Sequence, residues 1–159
     1  MPSLRGEYCY PITGRIPLKE IFPFLNNLGK EGTMSFVITY LEVENIIEST
    51  LLDDFNFKVM EKMVPAISRM VIEKHCSRVL LDWRKGRLDL STIEIYDTPR
   101  RLKKEFEKYG INILSLKRAY LINKVDADSY FFETVMKNNS QTFNIFLDRD
   151  RAIEWLSAS

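Results

Sequence analysis

Residues 77–83 read SRVLLDW, and the chain continues over residues 84–110 as RKGRLDLSTIEIYDTPRRLKKEFEKYG. The first seven residues form a short apolar run that ends in charge, the pattern of a strand buried on both faces of a parallel sheet. The stretch RKGRLDLSTIEIYD is polar and punctuated, and predicts a turn region. Thr98 then suits a helix N-cap and Pro99 the first helical position, where the missing N–H costs nothing. Leu102, Phe106 and Tyr109 give this helix its buried face, and Gly110 ends it.

The same strand–helix unit repeats downstream. RAYLINKV (residues 118–125) is a second apolar run, followed by a helix over 126–137 with Phe131, Phe132, Val135 and Met136 as its apolar side. TFNIFLD (142–148) is a third strand, and Asp148 caps a last helix carrying Ala152, Ile153, Trp155 and Leu156. Leu80, Leu121 and Ile145 are predicted as buried central-strand residues. Upstream, a helix is expected over about 54–75, opened by Asp53 and Asp54, striped by Met60, Val64, Ile67 and Val71, and kinked at Pro65. Before it, MSFVITYLEV and IIESTLL are rich in β-formers and flank a turn at 42–45, which predicts a hairpin. The expected fold is therefore α/β, ordered ββαβαβαβα. Its sheet is mostly parallel, with right-handed crossovers and an antiparallel first strand at one edge.

Residues 1–33 differ in composition. They hold four of the 6 prolines and four of the 6 glycines, and read as an N-terminal extension to a domain spanning 34–159. Leu18, Ile21, Phe22 and Leu25 are spaced for a short amphipathic helix. These apolar residues and the unpaired edge of the first hairpin predict a homodimer.

Composition excludes several classes. Lys and Arg total 23 against 22 Asp and Glu, a net charge of +1, so no excess of positive charge points to nucleic acid. No apolar run approaches the roughly 18 residues of a membrane span. The opening residues, MPSLRGEYCYPITGR, lack a long apolar core, as expected for a cytoplasmic protein. Two cysteines, Cys9 and Cys76, do not make a disulfide scaffold.

Chemistry is sparse. The single histidine, His75, sits at an expected helix end, where the dipole accounts for it. With Cys9 and Cys76 it falls short of the four ligands zinc prefers. Neither GxGxxG nor GxxxxGK[ST] occurs. No cofactor, metal or catalytic set is expected. The basic run Arg100, Arg101, Lys103 and Lys104 shares its helix with Glu107 and reads as a solvated face. Tyr96, Tyr130 and Phe131 either pack in the core or line a cavity. Because ligands of open α/β sheets bind beyond the carboxyl ends of the strands, Asp82, Arg84, Asn123 and Asp148 are the rim candidates. The competing reading makes Asp148 a helix cap and gives the others loop backbone to bond.

Three stretches, VLLDW with LDLSTIEIYDTPRRL (79–83 and 88–102), KRAYLINKV (117–125) and YFFETVMKNNSQTFNIFLDRDRAIEWL (130–156), resemble small bacterial STAS-type domains. These belong to the superfamily that joins anti-sigma-factor antagonists with CRAL-TRIO lipid-binding domains. The resemblance covers roughly three quarters of the chain. It implies a non-enzymatic regulatory module with a protein partner, switched by phosphorylation of a Ser or Thr at a helix N-terminus. The position matching that acceptor is Ser91, within Asp89-Leu90-Ser91-Thr92, where the aspartate falls one residue early and no glycine follows. The competing role for Ser91 is that of a cap. The CRAL-TRIO branch implies the alternative of a carrier or sensor for a small apolar ligand.

Overall fold

A computed structural model describes residues 35–158. The strands are β1 (Phe36–Leu41), β2 (Ile46–Leu51), β3 (Arg78–Asp82), β4 (Lys117–Leu121) and β5 (Thr142–Phe146). The helices are α1 (Phe57–Lys74), α2 (Thr92–Glu107), α3 (Ala127–Asn138) and α4 (Arg149–Ser157), with a 3-10 turn at Ile113–Ser115. This is the expected α/β order. The extension over 1–33 and its short helix lie outside the described residues.

The five strands stand side by side in chain order, β1-β2-β3-β4-β5. β1 pairs antiparallel with β2, from Phe36 opposite Leu51 to Leu41 opposite Ile46, and every later pair is parallel. Asn45 closes the hairpin with φ of 55°, a left-handed conformation that Asn tolerates better than most residues. A sheet that always grows in one direction through crossovers of one hand places the connecting helices on one face. Accordingly α1, α2 and α3 share one core with Ile47, Val79, Leu81, Tyr120 and Phe143. The alternate residues Ile46, Leu80, Ala119 and Leu121 face the other way and meet Ala152 and Leu156 of α4.

Three features differ from the sequence expectation. α1 opens at Asn56, whose side chain accepts from the Val59 N–H at 3.0 Å, and not at Asp53 or Asp54. Phe55 is held in extended form instead, its N–H on the Arg87 carbonyl at 2.7 Å and its carbonyl on the Asp89 N–H at 2.8 Å. Asp54 accepts from the Arg87 N–H at 3.1 Å. This contact needs Gly86, since a Cβ there would lie 2.2 Å from the Asp53 carbonyl oxygen. The helix runs on through Pro65, which lies inside it.

The second difference is larger. α2 begins at Thr92, so Thr98 and Pro99 lie well inside it. Ser91 is the N-cap: its hydroxyl accepts from the Glu94 N–H at 3.3 Å, and the Glu94 carboxylate accepts from the Ser91 N–H at 2.8 Å. That reciprocal pair satisfies two amides at the helix start and makes the first turn helical earlier than Pro99 suggests. Third, β5 is an edge strand, and Ile145 is only partly buried, whereas Leu80 and Leu121 are fully buried. Asp126 caps α3 by the same reciprocal device with Ser129. The far end of α4 is held by Lys117, whose ammonium donates to the Trp155 and Ala158 carbonyls, a cation placed where the helix dipole favours one.

Candidate functional site

The carboxyl ends of β3 and β4 open a cleft of about 510 Å³ between the segments that follow them. Its inner wall is aromatic. Trp83 stacks on Phe55 at 4.3 Å between ring centres and meets Tyr120 edge-on at 4.8 Å. Burial, with a smaller push from the Asp126 charge, raises the Tyr120 phenol well above its ordinary range. The phenol therefore stays protonated at neutral pH. Arg84, Arg87 and Lys124 line the cleft against Asp54, Asp89, Asp126 and Asp128, so the rim carries both signs and selects neither.

Three of the four rim candidates meet. Arg84 grips Asp82 with both forks, Nε to Oδ1 at 2.9 Å and Nη2 to Oδ2 at 2.8 Å, and adds its backbone N–H at 3.2 Å. Asn123 donates to the Arg84 carbonyl at 2.7 Å, tying the β4 end to the β3 end. Burial would raise the Asp82 carboxyl, but the hydrogen bonds and charge of Arg84 outweigh it and hold the group below its ordinary value. Asp148 stands apart. It caps α4, accepting from the Arg151 N–H at 2.9 Å, as its competing reading had it.

Next to Asp82, on the face that carries α4, lies a second charge pair. Glu48 projects from the middle of β2, and its carboxylate takes a hydrogen bond from Arg149 at 2.5 Å. Burial raises the Glu48 carboxyl first of all; Arg149 offsets this in part and the Asp82 charge adds to it. Two neighbouring carboxylates are thus displaced in opposite directions. They flank a hollow of about 350 Å³ that Thr39, Thr50 and Lys85 also line. The buried hydroxyls of Thr39 and Thr50 have no hydrogen-bond partner among the described residues. Glu48 and Arg149 are absent from the sequence-level candidates. The sign of Glu48 was a lone carboxylate inside the apolar run IIESTL; that of Arg149 is not local at all.

Nucleophile chemistry is not assembled at either place. His75 occupies the left-handed C-cap of α1, with φ of 49°. The Cys76 thiol points at the Asn45 carbonyl at 3.2 Å, and burial raises it away from the thiolate. Among the described residues no group of three or more His, Cys, Asp or Glu is placed to hold a metal ion, and no helix is long and apolar enough to cross a membrane.

Ser91 is exposed at the start of α2. Ile93 and Tyr96 beside it are 80% and 72% exposed, an apolar pair one helical turn apart. Arg100 and Arg101 both close on Asp97, at 2.6 and 2.7 Å, so its single carboxylate offsets one of the four basic charges on its own helix. Tyr130 is exposed as well, while Tyr96 lines a hollow of about 440 Å³ between α2 and α3, together with Asp97, Arg100, Val135 and Asn139. The cavity enclosed between the sheet and α1–α3 measures about 30 Å³. Compared with known proteins, the chain matches no family model, no curated protein and no solved structure.

Proposed function

We propose that this chain is a non-catalytic regulatory module of the STAS type, working in the bacterial cytoplasm, which binds a protein partner through the exposed start of α2. The observation that carries this reading is the grouping of Ser91, Ile93 and Tyr96. Large apolar side chains left in water on one helix face mark a docking surface, and an exposed hydroxyl at a helix N-terminus is where a phosphoryl group would alter it. The order of elements, with three helices on one face of a sequentially built sheet, supports the same reading. A phosphate on Ser91 would meet the Glu94 carboxylate that already holds the Ser91 N–H. Modification would therefore break the reciprocal cap by like-charge repulsion and change the helix start that the partner reads.

The test uses a photo-crosslinking residue at Tyr96 in cells to identify the partner, followed by binding of that partner to the purified chain. Ile93→Asp should weaken binding by at least about tenfold, the worth of one apolar anchor. Ser91→Asp should change it and Ser91→Ala should not. A crosslink to a second copy of the chain, with a dimer in sedimentation, makes the partner the homodimer expected from the sequence. Binding unchanged by Ile93→Asp sinks the proposal. The alternative, a carrier of a small apolar ligand, takes second place because an interior space of about 30 Å³ has room for only one or two water molecules.

A further inference from the structure

The solvent side of α2 passes from apolar to basic along its length. Its outer stripe runs through Ile93, Tyr96, Arg100, Lys103 and Lys104, three or four positions apart and all exposed. Two of the four carboxylates on this helix are committed elsewhere: Glu94 holds the Ser91 N–H at 2.8 Å, and Glu105 takes the Lys108 ammonium at 2.8 Å. Asp97 and Glu107 remain against Arg100, Arg101, Lys103 and Lys104, which leaves a surplus of two positive charges on this side. Among the described residues neither Lys103 nor Lys104 has an ion-pair partner. The hollow of about 440 Å³ toward α3 lies beside the apolar end, with Val135, Asn138 and Asn139 as its far wall. That wall carries no charged side chain, so α3 does not offset the surplus there.

We infer that the partner of this face is an acidic amphipathic protein segment, with an apolar anchor seated on Ile93 and Tyr96 at the hollow and carboxylates set over Arg100, Lys103 and Lys104. The inference rests on α2 being the docking surface and adds the chemistry of what docks there. An apolar anchor takes the dry end of the stripe out of water, while the unpaired ammonium groups at the other end attract negative charge and steer its approach. Tyr96 and Lys104 stand about 12 Å apart along the helix axis. The anchor and the carboxylates are therefore separated by about two turns of a helix or about four residues of a strand. Nucleic acid suits the stripe less well. Its unbroken row of phosphates would set charge against Asp97 and Glu107 on the same side, where a protein segment can be neutral.

Two measurements test it, both on the full chain. A photo-crosslinking residue placed at Glu107, at the basic end of α2, should capture in cells the same protein as one placed at Tyr96, and the peptide attached to it should hold more Asp and Glu than Lys and Arg. Lys103→Glu combined with Lys104→Glu should then weaken binding of that protein by at least about tenfold, and Lys103→Gln with Lys104→Gln, neutral and equally helical, should weaken it less. Raising salt from about 0.05 to 0.5 M should weaken the native complex more than that of the Glu pair. A neutral or basic peptide at Glu107, a nucleic acid there, or capture from Tyr96 alone overturns the inference. Binding that falls with Ile93→Asp but not with the Glu pair also overturns it and leaves docking on α2 standing. No capture from either position removes both.

Discussion

The two faces of the sheet are made from alternate residues of the same five strands and reach opposite solutions. On one face three helices cover the whole width, and the core is continuous and aromatic: Phe132 packs edge-on against Tyr120 at 5.7 Å and Phe143 at 5.4 Å. On the other, a single short helix covers β3, β4 and β5. Beneath it the residues are Leu80, Ala119 and Leu121; beyond it, toward β1 and β2, they become Thr39, Glu48, Thr50 and Asp82. The hydrophobic code of a strand is therefore set by what covers each position. Where cover ends, the sheet turns to ion pairs, and those pairs sit where a polar ligand could reach them.

Breaking the dry face should cost most. Phe132→Ala removes a ring that three aromatic neighbours touch, and chemical denaturation should show a loss of about 3–5 kcal/mol. Leu80→Ala, on the face beneath α4, should cost about 2–5 kcal/mol and fall below Phe132→Ala, because α4 is short and can settle into the gap. A Leu80→Ala loss under about 1 kcal/mol would mean that this face is not a core at all.

The charged half of that face should reveal itself through pH. The Glu48 carboxyl is raised in the folded state, so the native chain holds this proton more tightly than the unfolded one. Stability associated with Glu48 is therefore present below the unfolded value of 4.5 and declines as pH rises through the folded one. Asp82 is lowered, so its contribution is present above 3.8 and is lost as pH falls through the folded value. Denaturation curves across this range should show Glu48→Gln relatively more stable than the native chain toward neutral pH, and Asp82→Asn relatively less so. The same slope in both variants would show that the two carboxylates are not distinct.

Ser91, remote from both cores, should matter least to stability. Ser91→Ala deletes the cap and should cost about 0.5–2 kcal/mol, whereas Ser91→Asp keeps a capping oxygen, sets it against the Glu94 carboxylate, and should cost no more than Ser91→Ala. A large loss with Asp would assign the hydroxyl a role other than capping.

How much of this could be read from the chain depends on how local the cause is. The parallel strands β3 to β5 were legible as short apolar runs, the hairpin as β-formers on either side of a turn, and α3 and α4 because an acidic cap stands directly before them. The start of α2 was also written locally, as Ser91-x-x-Glu94, but Pro99 drew the helix start to itself. The start of α1 was not local: Phe55 is kept out of the helix by backbone bonds to a segment more than thirty residues away. The edge position of Ile145 follows from strand order, about which periodicity says nothing. Asp82 and Arg84 could be named because a strand end announces itself. Glu48 and Arg149 meet across 101 positions of sequence, and only the fold introduces them.

The sequential strand order has a consequence for how the molecule is built. Each parallel strand pairs with the one made just before it, so no strand has to be threaded between two that already hold each other. Each addition closes a loop of one helix and its turns, which keeps the entropic cost of every step small. A sheet of this kind can be laid down from one edge as the chain emerges, β1 and β2 first, each new strand finding its template already in place. The register of the early strands is then indifferent to the chain that follows, whereas α4 closes a face that all five strands have already shaped.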